Sequence, residues 1–369
     1  MKIGEDLLPR RLCCVMGLPF DVVTTAAAVT QVEQAMESGE HCFLSTPNLN
    51  FVVSSMRDDD FYQSVVESDL IIADGMPIVW VSKLLGINLP ERVAGSTLFD
   101  ELSQRPAEKK MRVFFFGGLP GVAEKAATVL ADKFPGAEGC GYFDPGFGSV
   151  EDMSTDAIID TINAANPDFI VVALGAKKGQ NWILHNRDRL QAPVVSHLGA
   201  VVNFVAGEVS RAPTMVQKLG LEWLWRIKEE PGIWRRYWND GLALLQLLVN
   251  NVLPLYLARN KSGHKQVCQS TFDETDICVK LTLTGAMGSD FSRNLMAEVV
   301  GHARPHKPLQ LDLSGLEYMD NSFIAFLLLM DCRLQKYHSR LEIIAVSDAL
   351  AKTFQQQGVA KRFVYAAEA

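Results

Sequence analysis

The sequence predicts an α/β protein in which a mostly parallel, Rossmann-like sheet is followed by a helical appendage and a second, smaller α/β domain. Between residues 40 and 205, short apolar runs alternate with amphipathic helical stretches. After residue 210, arginine and tryptophan become frequent, and a second alternation begins near residue 277. Fully apolar strands separated by amphipathic helices are typical of a parallel sheet that is covered on both faces.

The first domain is placed at residues 1–210, and five apolar runs within it are predicted as strands. These runs are residues 41–46, 69–74, 112–118, 168–175 and 192–199. Apolar residues at helical spacing predict a helix over 120–134. Because ligands of such folds bind beyond the carboxyl ends of the strands, the residues that follow each run are the candidates for function.

The appendage is placed at residues 211–258, and its last part, 241–258, is 18 residues without a charge. A membrane-spanning helix needs about 20 predominantly apolar residues. The segment also contains four helix-interrupting or polar residues, namely Gln246, Asn250, Asn251 and Pro254. We therefore expect a poor spanning helix and a fair interfacial one. A helix covered by the protein's own core or by a second copy of the chain remains the alternative.

A polar stretch at residues 259–276 is predicted as a linker, and residues 277–369 as the second α/β domain. In the second domain, strand-like runs alternate with helical stretches over a length of about 100 residues, which is ordinary for a compact domain. The helix that follows "YMDNS" is predicted to bury one apolar stripe, formed by Phe323, Phe326, Leu327, Met330 and Leu334.

Composition and charge exclude several classes of protein. The net charge of −8 argues against a generic nucleic-acid binder, whose affinity depends on clustered basic residues. The seven cysteines show no CxxC or Cys/His ligand spacing, which argues against a structural zinc site and favours reduced thiols in the cytoplasm. The first residues, "MKIGEDLLPRRLCC", lack the continuous apolar core that a signal peptide needs.

Two strand ends carry the strongest local signals. In "LIIADGMPIVW", Asp74 and Gly75 follow an apolar run, which fits either an ordinary Asp-Gly turn or a catalytic base at a strand end. In "FFFGGLPGVAEKAA", Gly117 and Gly118 lie between a strand and a helix, which fits either a phosphate site or a tight turn. The second stretch is neither a GxGxxG nor a Walker loop.

Residues 46–95 contain three short elements in a specific order: Thr46-Pro47-Asn48, Asp74-Gly75 and Arg92-Val93-Ala94-Gly95. This order and spacing resemble the WecG/TagA/CpsF family of bacterial glycosyltransferases. The resemblance continues through "FFFGGLPGVAEKAA", "NPDFIVVALGAKK", "FVAGEVSRAP" and "GLEWLWRIKEEP", and covers roughly residues 12–240.

The resemblance implies transfer of a sugar, an N-acetylmannosamine-type unit or a hexose, from a UDP-sugar to a polyprenyl-diphosphate-linked saccharide. Such enzymes serve cell-wall or exopolysaccharide assembly at the inner face of the plasma membrane. The resemblance makes Asp74 the base for the acceptor hydroxyl, and places Thr46, Asn48 and Arg92 in the same active site. A guanidinium such as that of Arg92 binds phosphate oxygens bidentately. No DxD motif is present, and the resemblance implies chemistry without a metal or other cofactor.

The resemblance assigns the nucleotide site to Gly117, Gly118, Gly175, Lys178 and Gln180. Two departures from the family pattern fall in this region. Gly179 and Gln180 stand where the family has a Gln-Glu pair, and Asn203 stands in the place of an aspartate. Lys178 and its neighbour Lys177 fit either a phosphate contact or a solvated loop. These changes leave the donor sugar open.

The family's appendage carries arginines that complete the site at the membrane. The local candidates are Arg211, Arg226, Arg235 and Arg236. Arginine and tryptophan suit an anionic lipid interface, so we expect "WRRYW" to face the membrane and the acceptor diphosphate. A solvated basic face with aromatic packing is the alternative.

The second domain resembles the STAS family of anti-sigma-factor antagonists and sulfate-transporter tails. The residues that carry this resemblance are Asp312, Ser314, Asp320 and Ser322, while Asn321 and Phe323 replace a serine and a glycine of the pattern. Ser322 corresponds to the serine that is phosphorylated in regulatory members, although a serine at this position is also a good helix cap. The resemblance implies a module that docks a protein partner or regulates the enzyme.

Three functions therefore remain in order of preference. The first is an inverting, membrane-associated glycosyltransferase with a STAS module. The second is a scaffold that binds a UDP-sugar in a weakened pocket and acts through its STAS domain. The third, a nicotinamide-dependent oxidoreductase, lacks both the GxGxxG element and the acidic residue that follows it about 20 residues later.

Overall fold

The structure is a computed structural model that describes residues 2–105, 109–213, 215–216, 220–259 and 267–365. The chain forms two compact units. One comprises residues 23–76 and 91–242 and contains the larger sheet; we call it the six-stranded unit. The other comprises residues 1–22, 77–90 and 243–369 and is called the five-stranded unit. The predicted first domain, 1–210, is thus divided, because residues 1–22 and 77–90 belong to the five-stranded unit.

The N-terminal residues form a β-hairpin of strands β1 (Leu12–Val15) and β2 (Leu18–Asp21). The two turn residues, Met16 and Gly17, both have positive φ angles, of 49° and 83°. A two-residue turn of this kind matches the right-handed twist of the flanking strands, which is why hairpins favour it. The hairpin is closed at its open end by Arg10, whose guanidinium donates two hydrogen bonds to Asp21.

The larger sheet has six strands in the order β4-β3-β8-β7-β5-β6, and every pairing is parallel. The strands are β3 Cys42–Ser45, β4 Leu70–Ile71, β5 Met111–Gly117, β6 Ala137–Phe143, β7 Phe169–Ala173 and β8 Val194–His197. The five predicted strands are confirmed, but β6 was missed. Gly139 and Gly141 interrupt its apolar pattern, and a Cβ atom at Gly139 would lie 2.1 Å from the carbonyl oxygen of Ala127.

Nine helices of the described chain precede, connect or follow these strands. They are α1 Thr25–Ser38, α2 Leu49–Ser55, α3 Asp59–Val66, α4 Met76–Leu84, α5 Gly95–Gln104, α6 Val122–Lys133, α7 Asp156–Ala164, α8 Ala176–Asn186 and α9 Gly199–Ala206. Along β5, Val113 and Phe115 face one apolar cluster, while Phe114 and Phe116 face another that contains Trp182. Both faces of the sheet are therefore covered, as the uninterrupted apolar strands predict.

The appendage begins with helix α10 (Glu222–Glu229) and continues through α11 (Trp234–Leu247), a π-helical turn (Leu248–Val252) and α12 (Leu253–Arg259). Among the described residues, one helical stretch, Pro231–Ala258, is long and apolar enough to cross a membrane as judged by length and composition alone. Only 11% of its apolar window is buried.

The smaller sheet has five strands in the order β13-β12-β11-β10-β9, of which only β9 is antiparallel to its neighbour. The strands are β9 Gln269–Glu274, β10 Val279–Ala286, β11 Leu309–Tyr318, β12 Leu341–Val346 and β13 Val364–Tyr365, and the helices are α13 Ser289–His302, α14 Asn321–Gln335 and α15 Asp348–Gln357. Strand β9 lies within the predicted linker 259–276, so that assignment was wrong there. Its sequence, "QSTFDE", is a mostly solvent-facing edge strand without an apolar signal.

Helix α14 is buried on every side, whereas the sequence predicted a single apolar stripe. Ile324, Ala325, Leu328 and Leu329 are buried together with the predicted stripe. The N-terminal segment contributes to the burial of this helix. The amide of Cys14 donates to Asn321 Oδ1 over 2.6 Å, and Asn321 Nδ2 donates to the Cys14 carbonyl over 2.8 Å. Arg333 also pairs with Asp6 over 2.9 Å. A helix that is apolar all round requires such cover on both sides.

The π-helical turn of the appendage packs on the five-stranded unit's last helix. Asn251 Nδ2 donates hydrogen bonds to the carbonyl oxygens of Gln355 and Gln356, over 3.3 and 2.9 Å. Val252 beside it is buried. This part of the appendage is therefore held by protein on one side.

Candidate active site

The loops after β3 and β4 extend the parallel pairing of these strands and bring their ends together. The amide of Ile72 donates to the Ser45 carbonyl over 3.0 Å, and the amide of Asp74 donates to the Pro47 carbonyl over 2.9 Å. Strand β4 itself is only two residues long, so Asp74 is positioned by this continued ladder beyond the regular strand. Asp74 consequently lies beside the Thr46–Asn48 loop at the carboxyl edge of the sheet.

Arg92 and Gly95 reach Asp74 because their segment runs alongside Ala73. The amide of Val93 donates to the Ala73 carbonyl over 2.9 Å. Arg92 Nε then lies 3.4 Å from Asp74 Oδ1, and the amide of Gly95, at the start of α5, donates to Asp74 Oδ2 over 3.2 Å. The carboxylate thus occupies the N-terminal end of a helix, where the exposed amides favour negative charge.

Gly95 is required because of close packing. Its backbone conformation does not require glycine, since its φ angle is not positive. A Cβ atom built on it would lie 2.5 Å from Leu198 Cδ2 and 2.9 Å from Thr46 Cγ2. Both distances are too short for non-bonded carbon atoms. A larger residue at this position requires the side chains of Leu198 and Thr46, or helix α5 itself, to move.

Asn48 caps helix α2: its Oδ1 accepts hydrogen bonds from the amides of Asn50 and Phe51, over 3.0 and 3.3 Å. Gly75 packs against it, and a Cβ atom at Gly75 would lie 3.5 Å from Asn48 Cα. The structure therefore brings Thr46, Asn48, Asp74 and Arg92 into one cluster. In this cluster Asn48 has a structural role, because its side-chain oxygen caps helix α2. Its side-chain nitrogen takes no part in the cap.

The sequence reasoning missed Glu222, which joins the cluster from the appendage. Glu222 Oε2 lies 2.6 Å from Arg92 Nη2, so the guanidinium bridges two carboxylates. Arg92 and Glu222 are largely buried, with 14% and 21% of their side-chain surfaces exposed. Glu222 lies in the quoted stretch "GLEWLWRIKEEP", and its position directly beside Trp223 in the part of the appendage that carries the family resemblance is the signal that would have found it.

The environment of Asp74 raises its pKa to about 6. Burial is the largest cause, because it disfavours the charged carboxylate, and the negative charge of Glu222 acts in the same direction. The positive charge of Arg92 and the amide of Gly95 lower the pKa and offset part of this effect. A quarter of the Asp74 side chain remains exposed, so the carboxylate is not sealed inside the fold. The result is a carboxylate with a pKa suited to proton transfer near neutral pH.

Comparison with known proteins matches residues 13–257 to the model of the glycosyl transferase WecG/TagA/CpsF family. The chain belongs to this family. Residues 270–365 match a STAS domain of the Mlab type. The transferase of Bacillus spizizenii named N-acetylglucosaminyldiphosphoundecaprenol N-acetyl-beta-D-mannosaminyltransferase is 33% identical over 54% of this chain and 76% of its own length. The equally named protein of Bacillus subtilis is 31% identical over 61% of this chain and 86% of its own length.

Two solved structures are similar to part of the chain. An anti-sigma factor antagonist from Mycobacterium paratuberculosis matches 27% of this chain and 86% of its own, at 18% identity and a TM-score of 0.24. The unphosphorylated anti-sigma factor antagonist SpoIIAA matches 27% of this chain and 90% of its own, at 18% identity and a TM-score of 0.25.

In this glycosyltransferase, three predicted nucleotide-site glycines have positive φ angles: 85° at Gly117, 107° at Gly118 and 80° at Gly175. Gly117 pairs with Ala173 of β7, so the first two glycines and Gly175 lie at the ends of adjacent strands. Nothing lies within 4 Å of a Cβ atom at Gly175, which means that its backbone conformation alone requires glycine. These loops present backbone amides at the same edge of the sheet as Asp74.

Gln180 lies in the interior, which corrects its predicted place in the nucleotide site. Its side chain is fully buried, and its Nε2 donates to Ser45 Oγ over 2.7 Å. Ser45 in turn shares a hydrogen bond of 2.6 Å with Ser68. Gln180 therefore joins α8 to β3 inside the fold and does not face a ligand.

The two neighbouring lysines are held by the protein. Lys178 Nζ donates to the Gly148 carbonyl over 2.8 Å, and Lys177 forms an ion pair with Asp58. Lys178 thus fixes the loop after β6 against α8. A direct contact between Lys178 and a phosphate would require this hydrogen bond to break.

The appendage arginines occupy different surroundings. Arg211 pairs with Asp100 over 3.0 Å and donates a hydrogen bond to Thr97. Both partners belong to α5, the helix that begins at Gly95, so the Arg211 side chain packs on this helix. Arg226 pairs with Glu230, the residue that follows α10, over 3.7 Å. Arg235 and Arg236 are exposed and lie over the rings of Trp234 and Tyr237. Only Arg211 is thereby tied to an element that contacts Asp74.

A second link between the appendage and the site involves Asp240 and Asn50. Asp240 is buried, and its Oδ1 accepts a hydrogen bond of 3.2 Å from Asn50 Nδ2 on α2. Burial raises the pKa of Asp240 above its ordinary value. Because Asn48 caps the same helix, α11 is anchored next to the Thr46–Asn48 loop.

In the STAS domain, Ser322 lies at the start of α14 with its hydroxyl on Asp320 Oδ2 and 3.1 Å from Ser292 Oγ. Asp320 also accepts a hydrogen bond from the Ser322 amide and is the N-cap of the helix. The matched STAS residues Asp312 and Ser314 are joined by a hydrogen bond of 2.7 Å. The serine is partly exposed.

Proposed function

We propose that the protein transfers an N-acetylmannosamine-type sugar or another hexose from a UDP-sugar to a polyprenyl-diphosphate-linked saccharide, with inversion at the sugar carbon. The observation that carries the proposal is Asp74, held between the Gly95 amide and Arg92 with a pKa of about 6. The names of the two Bacillus relatives support a lipid-diphosphate acceptor and a mannosaminyl donor. Cell-wall or exopolysaccharide assembly is the corresponding role.

In the proposed reaction, an acceptor hydroxyl attacks the anomeric carbon while the bond from that carbon to the UDP oxygen breaks. The hydroxyl proton moves to Asp74, and the electron pair of the broken bond leaves with UDP. Backbone amides after Gly117 and Gly175 and the Arg92 guanidinium stabilise the departing diphosphate. Glu222 holds Arg92 in place until the phosphate arrives. The proposal includes no resident metal, since the positive charge comes from arginine.

We also propose that the enzyme works at the inner face of the plasma membrane as a peripheral protein. Exposed apolar side chains recur every three or four residues along Pro231–Ala258 and so lie on one side of the helix. They are Trp234, Trp238, Leu242, Leu245, Val249, Leu253 and Leu257. The opposite side is held by protein at Asn251 and Val252, which favours a helix lying in the interface over one that spans the bilayer.

For the STAS domain, we propose a regulatory role through the N-terminal hairpin. Asn321 holds Cys14 by two hydrogen bonds, and Ser322 is the adjacent residue. Phosphorylation of Ser322 would replace its hydrogen bond to Asp320 with repulsion between two anions. We expect this to displace the first turn of α14 and release the hairpin, which a protein partner could then exploit.

The test of the main proposal is UDP release from a panel of UDP-sugars in the presence of a polyprenyl-diphosphate N-acetylglucosamine acceptor mimic. We expect release only when both substrates are present. Donor-dependent release without acceptor would indicate hydrolysis. If calorimetry detects UDP binding while no donor is turned over, the scaffold function replaces the transferase.

The membrane proposal is tested by sedimentation of the full chain with vesicles containing anionic lipid. We expect Trp234→Ser combined with Trp238→Ser to reduce the bound fraction by several-fold, because two aromatic anchors are lost. Tyr365→Ser, a similarly exposed aromatic residue on β13, is the matched control and should bind like the wild type. Equal binding of all three proteins would contradict the proposal.

A further inference from the structure

His197 ends strand β8, which lies between β3 and β7 in the sheet. The Thr46–Asn48 loop follows β3, and Gly175 follows β7. His197 is therefore placed at the carboxyl edge of the sheet, between the cluster around Asp74 and the glycine loops. The sequence reasoning gave it no role.

The His197 ring lies directly against Gly179 of helix α8. A Cβ atom on Gly179 would lie 2.3 Å from His197 Cδ2 and 3.0 Å from Cγ, so no side chain fits at position 179 while the imidazole is there. Glycine inside a helix costs stability and needs a local reason. The reason here is the ring of His197, which fills the space that a residue 179 side chain would occupy.

One ring nitrogen of His197 is unsatisfied. Nε2 is buried and has no hydrogen-bond partner within the described part of the chain, although the residue as a whole is partly exposed. An unsatisfied buried polar atom costs free energy, and such atoms in native proteins commonly await a ligand or water. Burial also lowers the pKa of His197 to about 4, so the imidazole is neutral at physiological pH. A neutral imidazole suits an uncharged hydroxyl or amide better than a phosphate.

The corner between β8 and α9 touches each element that surrounds the proposed site. Leu198 packs against Gly95, whose amide binds Asp74. Val202 lies 3.7 Å from a Cβ atom at Gly118. His197 itself packs on Gly179 of α8, the helix that Gly175 begins. A donor bound between Asp74 and the glycine loops would therefore lie next to this corner.

We propose that His197 contacts the sugar-nucleotide donor through a hydrogen bond from its imidazole to an uncharged hydroxyl or amide group, and that it thereby sets donor preference. This inference rests on the proposed transferase function. In this inference, the imidazole of His197 on strand β8 provides the polar group that glycine at position 179 cannot provide. The glycine at position 179 then marks a changed donor contact in an active enzyme.

The experiment measures donor KM and kcat for a panel of UDP-sugars with His197→Phe, which keeps the ring volume and removes both nitrogens. We expect the donor KM to rise about five- to tenfold, the effect of one neutral hydrogen bond, with kcat within about twofold. His197→Gln should recover part of the loss. His185→Phe, on the exposed side of helix α8, is the matched control and should leave the kinetics unchanged.

A single and a double variant at positions 179 and 197 provide a second test. This test can be used even if His197→Phe does not fold. Gly179→Gln alone should lower the melting temperature, because the new side chain meets the ring. Gly179→Gln combined with His197→Gly should regain stability and change the kcat/KM ratio between two UDP-sugars by about fivefold or more.

Unchanged donor kinetics in His197→Phe, or an unchanged donor ratio in the stable double variant, would overturn the inference. Failure of the wild type to release UDP from any donor would instead remove the proposed function and this inference together. The two failures are thus distinguished by the wild-type assay.

Discussion

Asp74 and Asp320 have similar local sequences but different surroundings. Each follows a strand, precedes a small or polar residue and stands before a helix. Asp320 satisfies its carboxylate locally, with the amide and hydroxyl of Ser322 two residues away. Asp74 receives its partners from Arg92 and Gly95, 18 and 21 residues along the chain. The comparison shows that the same strand–Asp–helix pattern serves as a local helix cap in Asp320, whereas in Asp74 the fold supplies partners from distant segments.

The second difference is the charge around each carboxylate. Asp74 is desolvated and faces both the cation Arg92 and, beyond it, the anion Glu222. Asp320 acts on its own helix as a cap, the ordinary use of aspartate at this position. Substitutions at the two positions should therefore separate catalysis from stability.

The largest expected effect is loss of transfer in Asp74→Asn. The amide keeps the size and the hydrogen-bond acceptor for Gly95 but cannot take a proton, so we expect kcat to fall by a factor of about 100 to 10,000. The measurement is UDP release with donor and acceptor. The matched variant Asp320→Asn should retain wild-type activity. Similar kcat values for Asp74→Asn and wild type would remove Asp74 from its proposed role.

The same variant has a stability signature. Since the pKa of Asp74 is raised from 3.8 to about 6, ionisation disfavours the folded state, and stability falls as pH rises through this window. Asp74→Asn removes that dependence, so the stability difference between variant and wild type should move in favour of the variant from pH 4 to pH 7. Denaturant unfolding at several pH values measures it.

A smaller but still large effect is expected for Gly95→Ala. The new methyl group would lie 2.5 Å from Leu198 Cδ2, and we expect a loss of about 1–3 kcal/mol in the free energy of unfolding. Activity should fall as well, because the amide that binds Asp74 moves. Gly288→Ala is the control, since nothing lies within 4 Å of its Cβ position. Equal stability of both variants would contradict the packing argument.

Next to Asp320, the substitution Asn321→Ala should weaken the contact between the N-terminal hairpin and helix α14. Two hydrogen bonds to the Cys14 backbone are lost, which we expect to cost about 1–3 kcal/mol. Hydrogen exchange should increase in residues 12–21, and transfer should change less than in Asp74→Asn. Ser314→Ala, a partly solvent-facing hydroxyl of the same domain, should leave exchange in the hairpin unaltered.

The smallest predicted effect is on the pH profile. Because the charge of Glu222 raises the pKa of Asp74, Glu222→Gln should lower that pKa. A base must be deprotonated, so the acidic limb of the kcat profile should move to lower pH, by less than about one unit. An acidic limb that stays in place, or moves to higher pH, would show that Glu222 does not act on Asp74 electrostatically.

Much of the fold was predictable because its signals are local. The apolar runs of five strands, the helix over residues 120–134 and the alternation in the second domain all follow from periodicity within a few residues. The misses have a common cause. Glycines interrupt the apolar residues of strand β6, and β9 is a polar edge strand. Neither strand therefore shows the apolar periodicity by which a strand is recognised in the sequence.

The grouping of four candidate-site residues was predictable, and their environment was less so. The motifs placed Thr46, Asn48, Asp74 and Arg92 in one group, and the parallel ladder beyond β3 and β4 brings them together. Gln180 was assigned to the ligand because it matched a motif position, yet its amide is used inside the fold by Ser45. A motif specifies a position along the chain, whereas the direction of a side chain depends on the helix and sheet around it.

The sequence by itself determined the α/β class, the family elements and the short segments that form the candidate site, since these depend on spacing and backbone preference within a few residues. Only the tertiary structure decided that Glu222 shares Arg92 with Asp74, that His197 requires Gly179 and that Asn321 holds the hairpin. These pairs are separated by 18 to 307 residues along the chain. Their energies arise from burial and close contact, which exist only after the chain has folded.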